Sequence, residues 1–578
     1  MAEKMNEMWG EQKGTLSALS DKAAFFQASK FAMFVHWGLY SQAGGVWKGE
    51  SFHGISEWLM ARMRVPAREY ARLAGEFDPA DFDAQDFVSV AKAAGMKYII
   101  ITAKHHEGFA MFRSRDPFNA FDGTPFHRDP MAELAQACRE QGMGLGFYYS
   151  QFQDWQAYNH WDNSLLNSDF DHYFRTKCLP QIRELMTNYG PLTLLWFDTP
   201  GKMTKEQSGE IVDLIRELQP QALVNSRIGN GVGDYVSKND NEIPARRCDG
   251  LWECIRTSNG SWGYSQWDTD FCSAREILWD LIQVTARGGT FMVNVGPDRN
   301  GCIPPACRQA LLETGKWMQK YGDKVIYSAR ASCWECERPW GDCTRKGNSA
   351  FFIVKEYYPG KILVEYDFPG NISRIVCAGS GKNVLWSREN GVLRITLPED
   401  DRSDLFRVLE VICSAPVPDA ADAMPAVNGD FPCRLDAGLA QLVRVEFKHD
   451  FWAERFGEFV YINILHNWQP GSRAVWQFVV DTPGFYRVKM RYQNVEYDNR
   501  IWQLLCSNGE THTRWLPDAQ ALPPTPGQGE PVARFHTTSI GVLHFEQPGI
   551  YSLTLQSFFP EKRSNLQVSE LLLEKFGS

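Results

Sequence analysis

Several apolar runs in the first 300 or so residues end abruptly in side chains suited to binding and cleaving a polar substrate. Phe34-Val35 leads into His36-Trp37-Gly38, and the run ending at Lys104 leads into His105-His106-Glu107-Gly108. Others close on Tyr148-Tyr149-Ser150, Trp196-Phe197-Asp198 and Asn225-Ser226-Arg227. Asp198 is the sharpest of these, because its carboxylate emerges from Leu194-Leu195-Trp196-Phe197 at the edge of an apolar core. A catalytic carboxylate and a capping or salt-bridged Asp suit that placement equally. General acid/base work needs a second carboxylate, and Glu253 in Leu251-Trp252-Glu253-Cys254 is the partner this reading selects. An adjacent indole helps desolvate a carboxyl and raise its pKa, as a general acid requires. The competing role for Glu253 is a buried ion pair with Arg246, Arg247 or Arg256.

The histidines His36, His105 and His106 also invite a metal reading. Neighbours on a strand point to opposite faces, so His105 and His106 cannot both be ligands unless the strand has already ended. No H-x-H or H-E-x-x-H pattern accompanies them, and no metal is expected. Neutral imidazole both donates and accepts, so the same residues suit sugar hydroxyls better. Cys333-Trp334-Glu335-Cys336 with Cys343 is half of a zinc ribbon without its second pair, which reads as incidental cysteine. Gly229 to Gly233 is glycine-rich but opens no helix, so it is no phosphate cradle.

Elements that would hold these residues follow from hydrophobic periodicity. Strands are predicted at Phe31–His36, Lys97–Thr102, Gly144–Tyr149, Leu192–Asp198, Ala222–Ser226 and Phe291–Val295. Between them Met131, Leu134, Ala135 and Cys138 share a helical face, as do Ile211, Leu214, Ile215 and Leu218 behind a Thr204/Gln207 capping box. Apolar strands alternating with helices indicate an α/β fold with parallel strands, and the length favours a (β/α)8-type barrel over residues 1–330. In such barrels chemistry sits at the C-terminal strand ends, where the polar list above falls.

Beyond residue 345 the period becomes two. Gly391–Leu397 and Leu405–Val411 read as strands, 414–429 as a Pro/Ala/Asp-rich linker, and Tyr486–Tyr492 as a strand with one wet face. Pro483-Gly484-Phe485-Tyr486 is echoed by Pro548-Gly549-Ile550-Tyr551, which suggests two similar turn-into-strand units. Two β-sandwich domains are expected, at 331–415 and 416–578, the second carbohydrate-binding-like. Trp476, Tyr492, Trp502 and Trp515 are read there as core packing rather than as glycan-stacking rings.

Composition narrows the partners. Sixty Lys and Arg against seventy Asp and Glu give a net charge of −10, which argues against nucleic acid or an anionic membrane. No apolar run reaches the ~18 residues of a membrane span. The start, Met1-Ala2-Glu3-Lys4, carries no signal-peptide core, and fourteen scattered cysteines read as reduced thiols of a cytoplasmic protein. An excess of aromatics, 20 Trp, 20 Tyr and 36 Phe, asks for a use beyond core packing.

Assembled, these motifs resemble the α-L-fucosidases of glycoside hydrolase family 29 over roughly residues 20–330. The likeness rests on Phe34–Gly38, Val46-Trp47 with Glu57-Trp58, Lys104–Phe109, Trp196–Asp198, Gly233-Asp234-Tyr235, Asp240–Pro244, Trp252-Glu253, Ser261–Tyr264 and Asn294–Asp298 in that order. It implies a retaining exo-glycosidase with no cofactor, in which Asp198 attacks the anomeric carbon and a second residue protonates the leaving oxygen. By position His36, Glu57, Trp58, His105, His106, Tyr148 and Arg227 would hold the fucose of a fucosylated glycan, with Trp262 at its apolar edge. The acid/base moves between branches of the family. A Thr-Pro-Glu stretch used by some members is replaced here by Val236-Ser237-Lys238-Asn239-Asp240, so the resemblance points to Glu253, with Glu242 and Asp240 as fallbacks. Alternatives are an α-L-galactosidase or related L-sugar hydrolase, a catalytically silent glycan-binding protein, and a metal-dependent hydrolase built on the three histidines.

Overall fold

Eight short strands carry the first half of the chain: β1 (Phe31–Val35), β2 (Tyr98–Lys104), β3 (Gly144–Ser150), β4 (Leu194–Asp198), β5 (Leu223–Val224), β6 (Val236–Ser237), β7 (Trp252–Thr257) and β8 (Thr290–Val295). In this computed structural model the described residues are 9, 12–17, 20–157, 169–399, 404–420, 424–455, 458–494, 500–517 and 535–577. The Met1–Lys4 stretch read for a targeting signal lies outside them. Every neighbouring pair is parallel, from β5-β4-β3-β2-β1 through β8-β7-β6. A parallel bridge between Asn225 and Tyr235 joins the two edge strands and closes the ring. The predicted (β/α)8 barrel is what forms.

Six of these strands stand out in the sequence because they are apolar on both faces; all five residues of β1 and all seven of β2 are buried. The other two do not stand out, for separate reasons. β6, as short as β5, lacks the apolar run Ala222-Leu223-Val224 that marks β5 and is followed at once by Lys238-Asn239-Asp240, and β7 is interrupted by Glu253 and Arg256. Helices on the outside start on caps readable in sequence. Thr204 and Gln207 form a reciprocal capping box before Lys205–Leu218, Ser273 and Glu276 do the same before Ala274–Ala286, and Asp129 with Pro130 opens Pro130–Gln141.

After the 21-residue helix Pro305–Val325, all sheets are antiparallel apart from one short parallel pair. A four-stranded sheet (Gly341–Lys346, Ser349–Val354, Arg407–Cys413, Ile372–Cys377) and a three-stranded one (Ile362–Tyr366, Val392–Thr396, Trp386–Glu389) share a core around Trp334, Trp340, Phe352 and Phe368. The outer face of the first packs Phe351, Ile353 and Val408 into the barrel core. Arg287 bonds Asp342 at 2.6 Å with both side chains buried, which fastens a barrel helix to this sheet. Two six-stranded sheets follow, enclosing Trp468, Trp476, Trp502 and Tyr492. Of the four aromatics read as core, Trp476, Tyr492 and Trp502 are buried and Trp515 is exposed. The echoed Pro-Gly turns do build similar units. Tyr486 and Tyr551 each open a strand and donate a hydroxyl hydrogen bond to a carbonyl four residues back, Thr482 at 2.7 Å and Gln547 at 2.9 Å.

No helix among the described residues is long and apolar enough to cross a membrane. None of the fourteen cysteines forms a disulfide among the described residues.

Candidate active site

The last residue of β4, Asp198, is the point on which the strand-end residues converge. Its Oδ1 accepts from the Thr199 amide at 2.8 Å, Arg227 Nη1 at 3.2 Å and Trp9 Nε1 at 3.2 Å. Its Oδ2 accepts from the Tyr148 hydroxyl at 2.9 Å and lies 3.6 Å from His106 Nε2. The backbone is pinned as tightly. Asp198 N donates to Gln151, Gln151 donates to the Arg227 carbonyl, and Asn225 exchanges two hydrogen bonds with Phe197. Thr199 adopts φ +39°, a conformation rare for a β-branched residue, and this turn aims its N–H back at the carboxylate. Burial would raise the Asp198 pKa, but Arg227, His106 and the hydroxyl of Tyr148 outweigh it and hold the group below its usual range.

Arg227, which follows β5, is buried and serves two carboxylates at once. Nη1 reaches Asp198, and Nη2 donates to Asp240 at 2.7 Å and to the Lys238 carbonyl at 2.8 Å. Its guanidinium lies 4.0 Å from the Trp9 ring centroid and 5.0 Å from that of Trp196. Asp240 is affected in the opposite sense to Asp198. Burial raises its pKa, Arg227 lowers it, the Asp198 charge raises it again, and the net shift is upward. The two carboxylates on one guanidinium are thus shifted in opposite directions.

The imidazoles are neutral. Burial pushes His36 and His106 down to about 4 and His105 well below its usual value. Asn294 on β8 donates from Nδ2 to the Trp262 carbonyl at 2.6 Å, so its Oδ1 faces His36 Nδ1 at 2.7 Å. His36 therefore donates from Nδ1 and keeps Nε2 as an acceptor. Ser150 donates its hydroxyl to the Gln153 carbonyl, so it accepts from His106 Nδ1 at 2.7 Å, and His106 Nε2 is likewise an acceptor. His105 stacks on Tyr148, and Trp262 lies 5.2 Å from His36. Trp58, half-buried, sets its ring edge-on to His106 and Trp155. Glu57 accepts from the Gly263 amide at 2.9 Å through Oε2, while its buried Oε1 has no hydrogen-bond partner among the described residues. Burial, opposed by that amide and reinforced by Asp240 and Asp198, pushes Glu57 up to about 7.

Seven of the eight residues expected to bind the sugar thus connect to Asp198 directly or through a chain of ring contacts, and Glu57 joins them through the Gly263 amide beside Trp262. The three carboxylates considered as acid/base part company. Glu253 is the second residue of β7, in register with Thr290 at the start of β8, and is fully buried. Its Oε1 accepts from Trp196 Nε1 at 2.5 Å, and Trp196 in turn stacks on Tyr148, whose hydroxyl bonds Asp198. Burial, offset by Trp196, Ser237 and Tyr235, leaves Glu253 at about 7. Glu242 turns away to His449 of a C-terminal sheet, 3.3 Å from its Nε2. Asp240 alone of the three adjoins Asp198 through Arg227.

Sequence reasoning passed over Trp9, Asn294, Gln151 and Thr199 as site residues. Asn294 had a signal, a polar residue ending an apolar strand before Gly296-Pro297. Trp9 had a weaker one, a single aromatic in an otherwise polar and charged N-terminal stretch.

Comparison with known proteins identifies relatives of the chain. A family model described as alpha-L-fucosidase matches residues 3–323. The tissue alpha-L-fucosidase of Rattus norvegicus is 31% identical over 412 residues, covering 65% of this chain and 86% of the relative. The crystal structure of an alpha-L-fucosidase from Vibrio sp. strain EJY3 superposes with a TM-score of 0.75 at 28% identity, covering 95% of this chain and 97% of that one. A mutant of the alpha-L-fucosidase AlfC, in complex with 4-nitrophenyl-α-L-fucopyranoside, is 39% identical with a TM-score of 0.50, covering 53% of this chain and all of its own.

Proposed function

The chain belongs to the α-L-fucosidase family, and from that premise we propose that it hydrolyses terminal α-L-fucosyl residues of oligosaccharides or glycoconjugates by a retaining, two-step displacement. The observation that carries the mechanistic part is the Asp198–Arg227–Asp240 bridge. One guanidinium shared by both carboxylates favours the short separation, about 5–5.5 Å, of retaining enzymes over the roughly 6.5–9.5 Å of inverting ones.

In this reading the ionised Asp198 attacks the anomeric carbon through Oδ2 as the leaving oxygen takes a proton from Asp240. The covalent fucosyl–Asp198 ester is then attacked by a water that Asp240, now a base, deprotonates. Arg227 keeps the two groups together and offsets their charge through both steps. The acceptor nitrogens of His36 and His106, the free oxygen of Glu57 and His105 take the sugar hydroxyls, while Trp58 and Trp262 cover C–H surface and the C6 methyl. Placing the proton on Asp240 rather than on Glu253 follows from access. A general acid must reach the glycosidic oxygen directly or through one water, and Trp196 and Tyr148 stand between Glu253 and that position. Residues 1–330 form the catalytic unit in this proposal, with 331–415 and 416–578 as accessory β units.

Kinetics on a fucosylated oligosaccharide and on an aryl fucoside test the assignment together. Asp198→Ala is expected to abolish turnover of both. Asp240→Asn is expected to lose roughly 10²- to 10⁴-fold on the oligosaccharide. On an aryl fucoside, whose leaving group needs no proton, it slows deglycosylation, and azide restores turnover. Glu253→Gln, which keeps an acceptor for the Trp196 indole, is expected to stay within a few-fold of wild type. Loss of oligosaccharide turnover in Glu253→Gln, with azide rescue and an active Asp240→Asn, would return the role to Glu253. An aryl α-L-galactoside in the same panel decides which sugar is preferred.

A further inference from the structure

We propose that Trp9, from the extreme N-terminal part of the chain, is a positioning residue of the active site: it holds one oxygen of Asp198 and braces Arg227, so that the other oxygen is the one that attacks. The inference rests on the reading of Asp198 as nucleophile and goes beyond it.

Three observations carry it. Trp9, the ninth residue, is only 2% exposed. Its indole N–H donates to Asp198 Oδ1 at 3.2 Å, and its ring centroid lies 4.0 Å from the Arg227 guanidinium carbon. The backbone that follows is stitched to the barrel between β5 and β6. Gln12 donates to the Trp9 carbonyl at 3.0 Å and accepts from Ser226 at 2.6 Å, beside Arg227. Thr15 N and Leu16 N then donate to the Gly233 and Asp234 carbonyls at 2.9 and 3.0 Å. Gly14 lies so close to this edge that a Cβ there would meet the Asp234 carbonyl at 2.8 Å. The segment is thus fixed upstream of the first barrel strand, and it delivers one aromatic side chain to the reacting carboxylate.

The chemistry follows from counting donors. Oδ1 takes three N–H groups, from Thr199, Arg227 and Trp9, whereas Oδ2 takes a single hydroxyl, from Tyr148. The less encumbered oxygen has lone-pair density to offer a carbon electrophile, so the donors on Oδ1 select Oδ2. A donor to the charged form also favours that form, so Trp9 helps to keep Asp198 ionised. Its ring meanwhile adds a second indole, besides Trp196, against a guanidinium that has to keep hold of both Asp198 and Asp240.

Trp9→Phe separates the two contributions, because it keeps a ring beside Arg227 and removes the N–H. Steady-state kinetics across pH on an aryl fucoside are compared for wild type, Trp9→Phe, Trp9→Ala and Asp198→Ala, with thermal melting of each. Trp9→Phe is expected to lower kcat roughly 10- to 100-fold, the size of a hydrogen bond to a charged group, with KM changed only a few-fold. The acidic limb of kcat/KM is expected to move to higher pH, because the carboxylate has lost a donor to its charged form. Trp9→Ala is expected to fall further and to melt within a few degrees of wild type. Rates within two-fold of wild type in Trp9→Phe overturn the proposal. So does a lower kcat with an unmoved acidic limb, which is what a merely structural role would give. Activity retained in Asp198→Ala sinks the nucleophile reading itself, whereas a dead Asp198→Ala beside a silent Trp9→Phe sinks this inference alone.

Discussion

At the scale of single residues, the site is governed by which atoms hold protons, and that is set one hydrogen bond away from the substrate space. His36 is the clearest case. Asn294 fixes its tautomer because the amide is itself oriented by the Trp262 carbonyl. Removing the amide leaves a buried imidazole N–H and a carbonyl without partners, a penalty of about 1–3 kcal/mol. Asn294→Ala is therefore expected to reduce kcat/KM about ten-fold, chiefly through KM, with L-fucose inhibition weakened in parallel; an unchanged inhibition constant would count against tautomer control. Much of this layer is legible in sequence, because Asp198, His36, His105, His106 and Arg227 all follow apolar strands. What sequence does not convey is which carboxylate partners Asp198. Trp252 beside Glu253 reads as a desolvating neighbour, and Glu253 is indeed desolvated, but its hydrogen bond runs to Trp196, whereas Asp240 shares Arg227 with Asp198. Local composition reports burial and not the line of sight to a substrate.

At the scale of elements, the strand-to-loop turns decide whether those residues face one another. Gly108 closes the turn that presents His105 and His106, with φ +82° and a Cβ direction that would meet Asp154 Oδ1 at 2.2 Å. Asp154 cannot step aside, since Lys104 and Lys177 grip it at 3.2 and 2.9 Å inside the core, and these lysines, against its burial, hold it at about 2. Gly108→Ala combines an unfavourable φ with a clash, so it is expected to destabilise by 2 kcal/mol or more. Urea melts would show a lower midpoint with an unchanged slope, and turnover would fall with it. Ser273→Ala, at a capping box far from the site, serves as the control: about 1 kcal/mol less stable, with kcat and KM intact. The caps and six apolar strands are local patterns and were open to sequence reading. β6 and β7 were not, because a strand that runs straight into Lys238-Asn239-Asp240 and a strand holding Glu253 and Arg256 owe their form to neighbours rather than to an apolar run of their own.

At the scale of the whole molecule, a C-terminal sheet touches the loop that carries Asp240. Glu242, two residues after Asp240, faces His449 on the strand Glu446–Arg455. Asn463 receives the other ring nitrogen at 2.9 Å and donates to Asp436 at 2.6 Å, so its oxygen faces the ring and both His449 nitrogens carry protons when the ring is charged. Burial lowers the His449 pKa, yet Glu242, Asn463 and Asp436 together raise it above 6.5. Glu242 is held below 4.5, since His449 and Lys238 outweigh its own burial. The signs fix the window. A raised histidine contributes fully below its unfolded pKa and loses its contribution as pH climbs through the folded value. A depressed glutamate contributes above its unfolded pKa and loses that contribution on acidification. The pair is therefore strongest between about pH 4.5 and 6.5 and fades on the alkaline side as His449 deprotonates. His449→Gln is expected to be about 1 kcal/mol less stable than wild type near pH 6 and to converge on it near pH 8 or above, measured by urea unfolding at each pH. Because the same contact anchors the loop that carries Asp240, the variant is also expected to lose several-fold in kcat on unactivated oligosaccharides at pH 6 while retaining aryl-fucoside glycosylation, the half-reaction that needs no acid. A stability difference constant from pH 6 to 8, or equal losses on both substrates, would mean that the sheets only pack against the barrel and do not hold Asp240, the proposed acid, in place.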